Sequence, residues 1–179
     1  DGVFTAGTGE LLFDGVGDQA VDLGINTLND VTFSKAAEGP LNHTVSAVGG
    51  GWDIDGTLTL TTGTWDAGAF IHDVAGVWDS SSAAFTLTEG TSTIDLTTAG
   101  TSITTEGTAD PFANLVFSGG ASIGSDLAIS NQTTADGTVT TGAARALDFG
   151  NLFLSGALSL DSTGGTIAIA SIDGAQDLT

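Results

Sequence analysis

Carboxylates set two to four residues apart beside glycine are the groups of this chain best suited to chemistry. Asp14, Asp18 and Asp22 follow one another through a glycine-turned stretch, and Asp53 and Asp55 sit in Trp52-Asp53-Ile54-Asp55-Gly56. Calcium takes about six to eight oxygens, and clustered Asp in such a loop supplies several of them. Neither stretch has the spacing of an EF-hand loop or of the glycine-rich calcium nonapeptide. Asp-Gly also closes turns with no ion at all. A calcium site at Asp14, Asp18, Asp22, Asp53 and Asp55 therefore stands beside a purely structural use of the same residues. Trp52, Trp65 and Trp78 recur thirteen residues apart. An indole can stack on a sugar or fill a core, so carbohydrate binding and buried packing are both open for the three. His43 and His72 are the only histidines. They lack the short spacing of a zinc pair and are expected as plain surface or loop residues.

Catalysis finds little support. A polysaccharide lyase needs bases, and only Lys35 and Arg145 carry positive charge. A glycosidase needs two carboxylates facing each other across a groove, and no motif picks out such a pair. A Ser-His-Asp triad is equally unmarked. The expectation is a chain that is not an enzyme, with no catalytic residue and no cofactor beyond calcium.

The charge balance points the same way. With 22 acidic residues against 2 basic ones the net charge is −20. Salt bridges cannot hold such a fold together. Two unit charges about 10 Å apart in water repel by roughly 0.4 kcal/mol, and screening at a Debye length of about 8 Å makes spread-out carboxylates tolerable. Nucleic acid and anionic membranes are poor partners for this surface. There is no Cys, hence no disulfide and no thiolate metal site. No apolar run is long enough for a membrane-spanning helix.

The elements that must position these groups are strands. The chain is 40% hydrophobic, which argues against disorder. It holds 27 Gly and only 2 Pro, and the strong helix formers are nearly missing. Leu58-Thr59-Leu60-Thr61, Phe85-Thr86-Leu87-Thr88, Leu127-Ala128-Ile129-Ser130 and Leu152-Phe153-Leu154-Ser155 alternate with period two, as strands with one buried face do. Gly and Asp-Gly punctuate them. Runs this short suit a parallel β-helix better than a sandwich. About eight coils of roughly 20 to 24 residues are expected. Thr59, Thr61, Thr86, Thr88, Thr138 and Thr140 could form an outward ladder. Trp65 to Trp78, rich in aromatics, marks a wider coil or an excursion. Residues 143–147 read as a loop followed by a strand.

A longer self-similarity runs through the chain. Phe4-Thr5-Ala6-Gly7-Thr8-Gly9-Glu10-Leu11-Leu12-Phe13-Asp14 returns as Phe85-Thr86-Leu87-Thr88-Glu89-Gly90-Thr91-Ser92-Thr93-Ile94-Asp95, and Val31-Thr32-Phe33-Ser34 as Leu115-Val116-Phe117-Ser118. It divides residues 1–179, read as one solenoid domain and a segment of a longer array, into repeats of roughly 4–84 and 85–179. Repeats of this kind bury their apolar faces only by stacking.

Phe4 to Gly9, Phe13-Asp14-Gly15, Gly17 to Val21, Gly56 to Gly68 and Gly165 to Gly174 resemble repeats of very large bacterial surface proteins. The pattern is similar to filamentous-haemagglutinin-like and autotransporter-passenger-like adhesin arrays. The resemblance implies an all-β, right-handed parallel β-helix, secreted to the bacterial cell surface as an adhesin, filament or coat. It carries no catalytic residues across. The irregular coil lengths depart from the most regular members and leave room for loops. The partners it implies are copies of itself end to end, neighbouring repeats of the same protein, surface glycans or a host receptor. A carbohydrate-binding or carbohydrate-cleaving β-helix and a calcium-dependent fibre or coat subunit are the alternatives.

Overall fold

Alternating β-branched and apolar residues fit a pleated surface that is buried on one side, and the glycines between them let the chain turn a corner every few residues. The computed structural model describes residues 7–36, 43–107, 112–175 and 177–179. Its strands join into one continuous 19-stranded sheet with no helix among the described residues. Every strand pairing among those residues is parallel. The chain is a β-solenoid of about eight turns.

Three faces wind round the core. The first stacks Glu10–Phe13, Asp30–Ser34, the start of Leu58–Asp66, Trp78–Ser80, Thr101–Thr105 and Gly120–Ile123. It continues through the ends of Leu127–Thr141 and Asn151–Asp161. The second stacks Gln19–Val21, Thr44–Ala47, the end of Leu58–Asp66 and Phe85–Thr88. Farther along it holds the start of Leu127–Thr141, then Leu147–Asp148 and Ile167–Ala168. The third stacks Thr27–Leu28, Asp53–Ile54, Ile71–Val74, Thr93–Leu96 and Phe112–Phe117. The middle of Leu127–Thr141, the start of Asn151–Asp161 and Ser171–Asp173 complete it.

Side chains on each face alternate between core and solvent, so stacked coils form inward and outward columns. One inward column runs Leu28, Ile54, Val74, Leu96, Phe117, Ala135, Leu154, all buried. Burying each large apolar side chain contributes roughly 1.5–3 kcal/mol, and this apolar interior, not ion pairing, holds the coils together. Coils approach one another closely at several glycines. Gly120, at φ 93°, needs the left-handed conformation, and a Cβ there would strike the Thr138 carbonyl one coil on.

The internal similarity keeps burial but not position. Phe13 and Phe33 are buried on the first face, whereas their counterparts Ile94 and Phe117 are buried on the third. Phe4 to Ala6 of that similarity lie outside the described residues. Residues 65–78 make no excursion: Leu58–Asp66, Ile71–Val74 and Trp78–Ser80 follow in regular succession round the three faces. The loop-then-strand reading of 143–147 holds, with a strand at Leu147–Asp148.

Candidate functional site on the third face

Two outward columns run side by side along the third face. One is Thr27, Asp53, Asp73, Asp95, Val116, Thr134, Phe153, Asp173. The other is Ile71, Thr93, Asn114, Gln132, Asn151, Ser171. Columns form because parallel pairing in register puts like position over like position, about 4.8 Å apart. The face is thus a grid whose chemistry is set coil by coil.

Its first half is acidic. Asp53, Asp73 and Asp95 occupy three successive rungs. Thr27 Oγ1 donates to Asp53 Oδ2 at 2.7 Å, and Ser118 Oγ donates to Asp95 Oδ1 at 3.4 Å. Partial burial holds the Asp73 carboxyl above the usual carboxylate range, and the charges of Asp95 and Asp53 push it the same way. Burial also raises Asp95, against the lowering effect of the Ser118 hydroxyl.

Its second half is neutral except for Asp173 on the last rung. Asn114, Gln132, Asn151 and Ser171 replace the acids as the dominant polar groups, and Phe153 stands outward in the neighbouring column. Asn131 Nδ2 donates to Asn114 Oδ1 at 2.7 Å, and Ser171 Oγ donates to Asn151 Oδ1 at 2.9 Å. A cleft of about 280 Å³ opens over these rungs.

Behind the acidic half lies an aromatic core. Trp52 and Trp65 stack at 5.3 Å between ring centroids, and Trp65 lies 5.9 Å from Trp78. Their relative exposures are 1%, 0% and 0%. Thirteen residues carry the chain about two-thirds of the way round a coil, so the spacing sets Trp65 on the second face, Trp78 on the first and Trp52 just before the third-face strand Asp53–Ile54, all buried. That is packing: no sugar reaches these rings from solvent. His72 corrects the expectation of a surface residue. It is fully buried and sits edge-on to Trp65 at 4.8 Å. The Trp52 backbone N–H donates to its Nδ1 at 3.1 Å, and its Nε2–H donates to the Ala67 carbonyl at 2.9 Å. Both ring nitrogens are used only by the neutral imidazole with the proton on Nε2. Burial lowers its pKa from 6.5, opposed in part by the Ala67 bond.

The five aspartates first singled out do not converge. Asp14 is exposed after the first strand, and Asp55 is exposed between coils. Asp18 Oδ1 accepts from the Thr44 N–H at 2.9 Å, and Asp22 Oδ1 from the Gly24 N–H at 2.9 Å. Asp53 belongs to the acidic column. Among the described residues no three carboxylate or imidazole groups are gathered to hold a metal ion. The threonines do not make one ladder either. Thr59 stacks on Asp79 and Thr138 on Ser159, both on the first face, while Thr86 stacks on Thr64 on the second. Of the two cationic side chains, Lys35 is buried with Nζ donating to Gln19 Oε1 at 2.7 Å. Arg145 lines a second cleft of about 360 Å³ with Glu106 and Asp126.

Phe153 and the carboxamide column were the functional candidates that sequence reading passed over. The signal was present in Leu152-Phe153-Leu154-Ser155: if the two leucines point in, the ring must point out.

The architecture makes the chain a β-solenoid protein, a class defined by stacked parallel coils. Comparison with protein-family models, with curated proteins and with solved structures finds no match.

Proposed function

We propose that the chain is a non-enzymatic structural and adhesive segment of a secreted bacterial surface protein or extracellular filament, built to stack with coils of its own kind. The observation that carries this reading is the parallel, in-register stacking of every described strand, by which each coil buries its apolar side chains only against its neighbours. At the last rung the inward positions of all three faces are uncovered: Ile167, Ile172 and Leu178 are 39%, 52% and 38% exposed. Their column neighbours one coil earlier, Leu147, Leu152 and Leu158, are each 1% exposed. Apolar side chains on three sides of one ring, with the strand edges Ile167–Ala168 and Ser171–Asp173 each paired on one side only, match the underside of another coil. The resemblance to bacterial adhesin arrays supports the cell-surface setting, and the net charge of −20 suits a salty exterior.

Sedimentation and electron microscopy of the chain over a range of concentrations test it. Concentration-dependent rods are expected, and Ile172→Lys with Leu178→Lys should return them to single particles. A wild-type chain that stays monomeric at every concentration, or one that releases reducing sugar from a polysaccharide, would overturn the proposal.

A further inference from the structure

The neutral half of the third face presents a ring that folding does not use. Phe153 is 39% exposed and is the one exposed aromatic ring among the described residues. Its column neighbours Thr134 and Asp173 are polar, and the column beside it is carboxamide and hydroxyl. This is no broad apolar patch of the kind that docks a protein. It is a single apolar platform framed by hydrogen-bonding groups.

Those groups are partly spoken for and partly free. The Asn131 amide nitrogen is held by Asn114, which leaves the Asn131 carbonyl oxygen as an acceptor. Ser171 holds the Asn151 carbonyl oxygen, which leaves the Asn151 N–H pair as donors. Gln132 makes no side-chain hydrogen bond among the described residues, so it offers both. The cleft lined by Asn131, Gln132, Asn151, Phe153, Ser171 and Asp173 spans three rungs.

We infer that this cleft is a binding subsite for a neutral oligosaccharide, with the C–H face of one pyranose ring stacked on Phe153 and its hydroxyls bonded by Gln132, Asn131 and Asn151. A sugar hydroxyl donates and accepts at once, which is what a mixed row of amide N–H and C=O groups satisfies. Uronates and sulfated glycans are disfavoured by Asp173 in the cleft and by the net charge of −20. An ammonium ligand would use the acidic field, but the cleft gives it one ring in place of the cage that usually recognises such ions, and the free Asn151 N–H donors have no use for it. Ser171 and Asp173 of the cleft belong to the last rung, but they alternate with the inward Ile172 and present their side chains to solvent, so a coil stacked on Ile172 leaves the cleft's outward face open.

The test is a titration of the isotope-labelled full chain, followed by NMR. The probes are neutral gluco-, manno- and xylo-oligosaccharides, oligogalacturonate and tetramethylammonium. Dissociation constants on the order of a millimolar are expected for a shallow cleft. A neutral oligosaccharide should shift the side-chain amide signals of Asn131, Gln132 and Asn151 and the ring protons of Phe153. Phe153→Ala should weaken binding at least about tenfold, and Gln132→Ala several-fold. Both residues are exposed, so an unchanged melting temperature will show that the fold survives. No shift with any neutral sugar, shifts caused by oligogalacturonate or tetramethylammonium instead, or binding that survives Phe153→Ala would each overturn the inference.

Discussion

From Asp53 to Asp95 the third face stacks carboxylate on carboxylate and keeps its aromatic rings inside. From Asn114 to Ser171 it stacks carboxamides and hydroxyls and turns one ring out. The backbone of the two halves is the same: parallel rungs, the same alternation, the same inward column. Their energetics differ because register multiplies whatever occupies a column. Neutral polar groups on neighbouring rungs bond one another, as the Asn131 amide does to Asn114 and the Ser171 hydroxyl to Asn151. Carboxylates in a column repel, and the middle one, Asp73, bears the charge of both neighbours. The acidic half must therefore be held by what lies behind it, the cluster of Trp52, Trp65, Trp78 and His72.

The strongest way to break that contrast is to remove the cluster. Trp65→Ala should destabilise the chain by about 3–5 kcal/mol, read from denaturant unfolding. Phe153→Ala, an aromatic truncation of equal chemistry on the outside, should stay within about 0.5 kcal/mol. Comparable losses at the two sites would show that Phe153 packs into the fold.

His72→Leu comes next. It leaves the Trp52 N–H and the Ala67 carbonyl without their partner and should lower stability by about 1–3 kcal/mol at neutral pH. The same variant sharpens the pH behaviour. Because burial lowers the native pKa of His72, the unfolded chain takes up a proton before the native one as pH falls below 6.5. Stability from this residue is lost progressively until the native pKa is passed. His72→Leu should flatten that part of the curve.

Asp73 answers acid in the opposite sense. Its native pKa is raised, so the native chain binds this proton first. Stability rises as pH falls through the native value, and the gain is complete once pH lies below 3.8, the ordinary value. At neutral pH, Asp73→Asn should stabilise by about 0.2–1 kcal/mol, since it removes like charges from facing positions. In the wild type, added sodium chloride should raise the melting temperature, and less so in Asp73→Asn. A destabilised Asp73→Asn would show that the carboxylate column is held by bonds rather than strained by charge.

Much of the architecture was legible from local pattern. Leu58-Thr59-Leu60 and Leu127-Ala128-Ile129 alternate, and glycine marks the corners, which is enough for short strands in coils. Face and column were not legible, because a rung's neighbour lies about one coil away and coils vary in length. Thr27 to Asp53 is a long step, and Val116 to Thr134 a short one. A small error in coil length moves a residue to another column. For that reason the Asp53, Asp73, Asp95 column went unseen, and six threonines on different faces looked like one ladder. His72 was misjudged on residue type alone. Nothing near it in sequence reveals that the Trp52 N–H, twenty residues away, needs an acceptor.

The last rung, braced from one side only, has a mechanical meaning. Stability in a stack of coils is a sum of neighbour contacts, so a described coil paired on one side only, this one like that of Glu10–Phe13, loosens before those between. Amide exchange in Ser171–Asp173 should run ahead of that in Asn151–Asp161, and heat should peel the rod from this tip as a travelling front.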